Sequence, residues 1–141
     1  MMSQSTTPKP APTPTVVSAP FWDAAKQHRL LIQQCGKCAQ TIFYPRLRCP
    51  HCWSNDLSWI EASGKGEVAS YTIIHKPGHP AFAAGAPYIV ALIDLEERVR
   101  LLSNVVDCPI DQVHVGMPVT VQWVEQGDFT LPKFQPSISK V

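Results

Sequence analysis

Cys35-Gly36-Lys37-Cys38 and Cys49-Pro50-His51-Cys52, separated by the ten residues 39–48, are the stretch that decides the fold. Two tight Cys-x-x-Cys pairs match the tetrahedral demand of a structural zinc ion, which takes thiolate sulfur at about 2.3 Å. Each pair is one ligand knuckle. The connector is shorter than the usual ~15–20 residues between such pairs, but a strand–turn–strand of that length can still bring the second knuckle to the first. Four thiolates leave no coordination position for water or substrate, so the metal held by Cys35, Cys38, Cys49 and Cys52 reads as structural. Zinc is expected ahead of iron, although a mononuclear iron site uses the same four thiolates.

The competing reading is a pair of disulfides, which needs an oxidising compartment. Residues 1–8 show neither a charged leader nor a continuous apolar stretch, so no export signal is expected. No run of ~18 apolar residues is available to span a membrane. The expectation is a cytoplasmic protein with no membrane partner. His51, inside the second pair, reads as a surface residue, and Cys108, beside Pro109, as a small loop or core residue.

Twelve basic residues oppose eleven acidic ones in this chain of 141, for a net charge of +1. That balance disfavours non-specific nucleic-acid binding, which depends on neutralising many phosphates. A surface with few charges and several exposed aromatics suits a stable protein partner better.

Working outward from the cysteines, residues 1–17 alternate proline with Lys, Ala and Thr and predict a disordered or polyproline-like tail. Ser18 is placed to cap a helix with Pro20 in its first turn. Phe21, Trp22, Ala25, Arg29 and Leu30 fall near one face, predicting an amphipathic helix of two to three turns. A helix that short is not stable alone, so Phe21 and Trp22 must dock on the protein's own body or on a partner. Residues 30–34 run as a strand into the first knuckle.

Beyond the second knuckle the pattern is all-β. Strands are predicted over 67–75, 88–95, 99–106, 118–125 and 129–136, with a small-residue loop at 81–86. Five short strands in roughly seventy residues, punctuated by Gly and Pro, suit a small closed barrel of OB type. The fold class is therefore mainly β: a short N-terminal helix, a four-cysteine zinc ribbon, then a small OB-fold-like β-barrel. The expected division is a tail at 1–17, helix and ribbon at 18–60, barrel at 61–136 and a tail at 137–141.

This order resembles the acyl-CoA-associated OB-fold proteins with an N-terminal rubredoxin-like zinc ribbon. The resemblance runs through Phe21-Trp22, Leu30-Leu31-Ile32-Gln33-Gln34-Cys35 and Tyr44-Pro45-Arg46. It continues in Ser63-Gly64-Lys65-Gly66-Glu67-Val68, Tyr71-Thr72-Ile73-Ile74-His75 and the 87–93, 99–104 and 115–119 strands, and closes at Leu131-Pro132-Lys133-Phe134-Gln135-Pro136. One departure is local: glycine often follows the second cysteine of a rubredoxin-type knuckle, and here Ala39 and Trp53 stand there. Metal binding should survive this; an iron-type redox site is less favoured.

The resemblance implies a non-catalytic accessory or scaffold subunit that binds a thiolase-like or other acyl-CoA-handling enzyme in a hetero-oligomer. In agreement, no Ser-His-Asp context, evident carboxylate pair or open metal site is found, and His75 and His79 read as loop histidines. Phe21, Trp22 and Phe43 are the candidate interface anchors, since aromatics dominate interface energetics. One alternative is a stand-alone CoA-binding module, with Lys26, Arg29 and Arg46 as candidate contacts. Another is a nucleic-acid-binding zinc-ribbon OB protein, for which the barrel's few cations argue poorly.

Overall fold

The structure, a computed structural model, describes residues 9–137. The outermost parts of both expected tails, 1–8 and 138–141, lie outside the described residues. Residues 9–15 form no helix or strand, and a turn at 16–18 leads into helix α1, Ala19–Ala25.

Pro20 sits in the first turn of α1, but Ser18 does not cap it through its side chain. The Ser18 hydroxyl instead accepts from the Thr15 amide at 2.9 Å and from the Thr15 hydroxyl at 3.2 Å, a local turn that competes with capping. The helix is shorter than expected. It stops where Gln27 and Arg29 both donate backbone N–H groups to Ala24 O and His28 takes φ 60°, a left-handed residue that ends the helical run. Phe21, Ala24 and Ala25, at i, i+3 and i+4, form its buried face.

Three antiparallel strands make the ribbon sheet: β1 Leu31–Cys35 in the middle, β2 Thr41–Ile42 and β3 Leu57–Glu61 on its flanks. The sequence pattern predicts no strand at β3, which forms against β1. Gln33 is buried in β1, and its side chain is satisfied by the backbone of Arg46, donating to the carbonyl at 3.0 Å and accepting from the amide at 2.7 Å. One glutamine thus pins the connector against the sheet.

The barrel follows: β4 Lys65–Ile74, β5 Tyr88–Leu95, β6 Arg100–Val105, β7 Pro118–Gln126 and β8 Phe129–Pro136. It closes in the order β4-β5-β6-β8-β7, the OB connectivity. All pairs are antiparallel except β6 with β8, which meet in parallel at Val105 and Phe134. A register shift between Val68 and Ser70 bends β4, which pairs with β7 through its first residues and with β5 along its length. The expected small-residue loop contains a 3-10 turn, Pro80–Gly85, whose first N–H groups are partly satisfied by His79: its Nδ1 accepts from the Ala81 amide at 3.0 Å.

Strand β5 alternates strictly, with Ile89, Ala91, Ile93 and Leu95 buried. They share one core with Val68 and Phe134 from the barrel, and with Phe21, Leu30 and Ile32 from the helix and ribbon. Complete burial of a side chain such as Ile32 contributes about 1.5–3 kcal/mol, so helix and ribbon are tied to the barrel by apolar packing. Among the described residues, only the ribbon tip, around Cys35, Ile42 and Cys49, has a separate small cluster.

Candidate functional site

The four knuckle cysteines converge. Their sulfur atoms all lie within 4.8 Å of one another, with Cys35–Cys52 and Cys38–Cys49 separations of 3.5 Å. A tetrahedron of 2.3 Å metal–sulfur bonds has edges of about 3.8 Å, so a zinc-sized ion fits between them.

The two knuckles repeat one hydrogen-bond pattern. Lys37 and His51 donate their amides to Cys35 Sγ and Cys49 Sγ, each at 3.3 Å. Ala39 N–H reaches Cys35 O at 2.9 Å, as Trp53 N–H reaches Cys49 O at 2.8 Å. Ala39 and Trp53 both take φ 66°, the left-handed conformation that makes glycine frequent in such turns. The two departures seen in the sequence are therefore carried as backbone strain, not as a different turn.

Amides aimed at sulfur stabilise thiolate. The Cys38 amide leads in lowering the Cys35 thiol to about 6. Cys38 behaves oppositely: the Gln40 amide favours its thiolate, but burial and neighbouring sulfurs outweigh that and push it up to about 12. Four thiols this close do not all ionise unaided, and a divalent cation supplies the missing charge. The donor set fits a structural metal.

The fifth cysteine is of another kind. Burial, then the charge of Asp111, pushes the Cys108 thiol up, and it packs at the margin of the core. It lacks the electropositive setting of a reactive thiolate.

The three candidate interface aromatics meet at one place. Phe21 lies 5.0 Å edge-on from Trp22 and 5.6 Å from Phe43, ring centre to ring centre, and all three line a cleft of ≈ 510 Å³ between helix, connector and barrel. Phe21 is only 6% exposed, a core residue that offers a partner little surface. Trp22 and Phe43 are half-buried against the same core. In the ribbon the large side chains left open are different ones: Tyr44, Leu47 at 75% and Trp53 at 72% exposure, from the connector and the second knuckle. Tryptophan beside a cysteine knuckle was noted in the sequence only as a departure from glycine; its exposure needed the fold.

Lys26, Arg29 and Arg46 are exposed, and none lines this cleft. Arg29 pairs with Glu61 at 3.2 Å. They nevertheless belong to a charge pattern that the net charge conceals. Between Asp23 and Asp56 there is no acidic residue, while Lys26, Arg29, Lys37, Arg46 and Arg48 all fall there. Among the described residues, no helix is long and apolar enough to cross a membrane.

The sequence matches the ChsH2 rubredoxin-like zinc ribbon domain over residues 22–58 and the ChsH2 C-terminal OB-fold domain over residues 59–124. A probable enoyl-CoA hydratase alpha subunit of Thermomonospora curvata is 46% identical over 120 residues, 84% of this chain but 37% of that protein. The chain therefore spans little more than a third of this relative's length. A DUF35 domain-containing scaffold protein of Methanothermobacter thermautotrophicus is 36% identical over 92 residues, 64% of this chain and 68% of the relative. The benzoylsuccinyl-CoA thiolase subunit BbsA of Geobacter metallireducens is 34% identical over 71 residues, 50% of this chain and 46% of its own. Among solved structures, a chain of the Ltp2-ChsH2(DUF35) aldolase superposes with a TM-score of 0.82 at 43% identity, covering 91% of this chain and all (100%) of that one.

Proposed function

This chain belongs to the DUF35 family, in which a ChsH2-type zinc ribbon precedes a ChsH2-type OB-fold domain, and we propose that it is a non-catalytic accessory subunit. In this reading it docks on a thiolase-fold or aldolase enzyme that handles acyl-CoA thioesters, and the partner supplies the chemistry. The carrying observation is the fold-wide match to the chain that accompanies Ltp2 in the Ltp2-ChsH2(DUF35) aldolase. The thiolase-subunit name of the Geobacter relative supports the same partner class.

The geometry agrees. All four converged sulfurs are consumed in one closed cluster, so a bound metal has no free position for substrate. Zinc is the metal of this proposal; it supplies cross-linking, and the chain's amides at Cys35 and Cys49 hold the thiolates in place. His79, one of two histidines open to a catalytic reading, is used by its own backbone turn. Tyr44, Leu47 and Trp53 are exposed in a segment that carries Lys and Arg but no acidic residue, a composition suited to a protein partner. A cytoplasmic setting, where thiols stay reduced, completes the reading.

The test is tagged purification from the native host at low salt, identification of co-purifying chains, and assay of the complex with and without this subunit. A stoichiometric thiolase-fold or aldolase partner whose activity falls on removal of this chain is the expected result. Turnover of a CoA thioester by the isolated chain would overturn it.

A further inference from the structure

The outer wall of the barrel at β5 and β6 is built unlike a solvated surface. Where β5 alternates, its inward residues fill the core, and its outward residues before Asp94 are Tyr88, Val90 and Leu92. A sheet face turned to water normally carries polar side chains at those positions. Leu102, in register with Leu92 across β6, is 56% exposed. Phe82, on the 3-10 turn, lines a half-open cavity of ≈ 410 Å³ against this wall, a volume within the ~300–1,000 Å³ of small-molecule sites.

Lys133 of β8 enters the same cavity. Its Nζ donates to Asn104 Oδ1 at 2.9 Å, and Asn104 is in turn oriented by donating Nδ2 to Ile89 O at 2.8 Å. That partner is a neutral amide, which accepts a hydrogen bond but balances no charge. The second ammonium at the cavity, Lys9, lies 5.7 Å from the Phe82 ring centre. No Asp or Glu is among the described residues that line the space. Burial, and then the charge of Lys9, lowers the Lys133 pKa, as expected for an ammonium without a counter-ion.

We propose that this cavity binds an amphipathic anion: an alkyl or acyl chain laid along Tyr88, Val90 and Leu102, with a carboxylate or phosphate head on Lys133 and Lys9. The face is formed by the second and third strands of the barrel and the loop between its first and second strands, where OB folds take their ligands. The assignment does not depend on the accessory-subunit reading.

The zinc-loaded full chain is titrated with sodium octanoate, monooctyl phosphate and octan-1-ol, followed by backbone amide shifts and calorimetry. At least one anion is expected to bind about tenfold or more tightly than the alcohol, the worth of one charge-assisted contact. Amides at Tyr88, Leu102 and Asn104 should move, and the tighter anion identifies the head group. Lys133→Met should remove that preference while leaving alcohol binding unchanged, with loss of the hydrogen bond to Asn104 and a small fall in melting temperature. Should it not fold, Lys9→Gln, outside the barrel, decides by a severalfold loss for the anion alone. Equal binding of alcohol and anions, no binding of either anion at millimolar concentration, or full anion preference retained in the folded variant would overturn the proposal.

Discussion

The Tyr44 hydroxyl accepts the Leu102 backbone N–H at 3.1 Å, so a side chain of the ribbon connector occupies a place in the barrel's own hydrogen-bond ladder. The place exists because β6 and β8 run in parallel and pair at Val105 and Phe134, leaving the edge of β6 away from β5 without a strand partner nearer its start. Ser103 Oγ, donating to Pro132 O at 2.8 Å, bridges the same divergence. Side chains finish what the backbone ladder leaves open. Tyr44→Phe should cost about 1 kcal/mol, the usual net worth of one hydrogen bond, and hydrogen exchange at the Leu102 amide should accelerate. Unchanged exchange would show that water serves equally well.

Removing one ligand should remove the metal. Cys38→Ser is expected to abolish stoichiometric zinc by elemental analysis and to unfold the ribbon tip, where structural zinc contributes an apparent ~10–16 kcal/mol in comparable small units. Loss of partner capture should follow in the same preparation. Capture retained by a metal-free chain would separate the ribbon from the interface.

Ala39 and Trp53 allow stability and recognition to be separated. Non-glycine residues in the left-handed region cost about 1–3 kcal/mol, and glycine returns part of that through chain entropy. Ala39→Gly should therefore stabilise the ribbon by about 1 kcal/mol, read as a higher denaturation midpoint. Trp53→Gly should stabilise comparably but weaken partner binding by about 2 kcal/mol or more if this exposed indole is an interface hot spot. Equal partner affinity in both variants would place the interface elsewhere.

Asp94 and Arg100 face each other across β5 and β6, with Nε to Oδ1 at 2.7 Å and Nη2 to Oδ2 at 3.1 Å. The Arg100 guanidinium holds the Asp94 carboxyl below the usual carboxylate range. A depressed folded-state pKa stabilises the fold above the unfolded value of about 3.9 and loses that contribution as pH falls through the folded one. Arg100→Gln should lower stability at neutral pH slightly and flatten the decline below pH of about 4. Chemical denaturation across that range checks both the sign and the window.

Gly66 lies where β4 crosses β5, and a methyl group there would press on the Asp94 carbonyl. Backbone cannot yield as a flexible side chain does. Gly66→Ala should destabilise by about 1–3 kcal/mol, the range for overpacking, whereas Gly85→Ala, with open space around it, should be close to neutral. A thermal melt of the two variants side by side tests the contrast.

Much of this architecture was legible because its signals are local. Cys-x-x-Cys spacing announces the ribbon, and the short apolar run of 88–95 announces a strand. What escaped was whatever depends on long-range partners. Leu57-Ser58-Trp59-Ile60-Glu61 reads ambiguously until β1 is beside it. Ser18 resembles a helix cap until Thr15 competes for its hydroxyl. Phe21 reads equally as interface anchor or core residue until the barrel closes over it, and the open Trp53 looks like a mere substitution for glycine. Lys133 reads in the sequence only as part of the closing motif, since its further meaning lies in a cavity lining without a carboxylate.

The shared core also imposes an order on biosynthesis. Phe21 is made early but packs into the cluster that contains Phe134, and Trp22 meets Phe129 at 5.5 Å. These contacts wait until the final barrel strand is available, and contacts between distant parts of a chain slow folding. The knuckles need only the residues between 35 and 52. A nascent ribbon can therefore clasp its ion while the barrel is still unwritten, and hold β1 ready as the surface on which the late strands assemble.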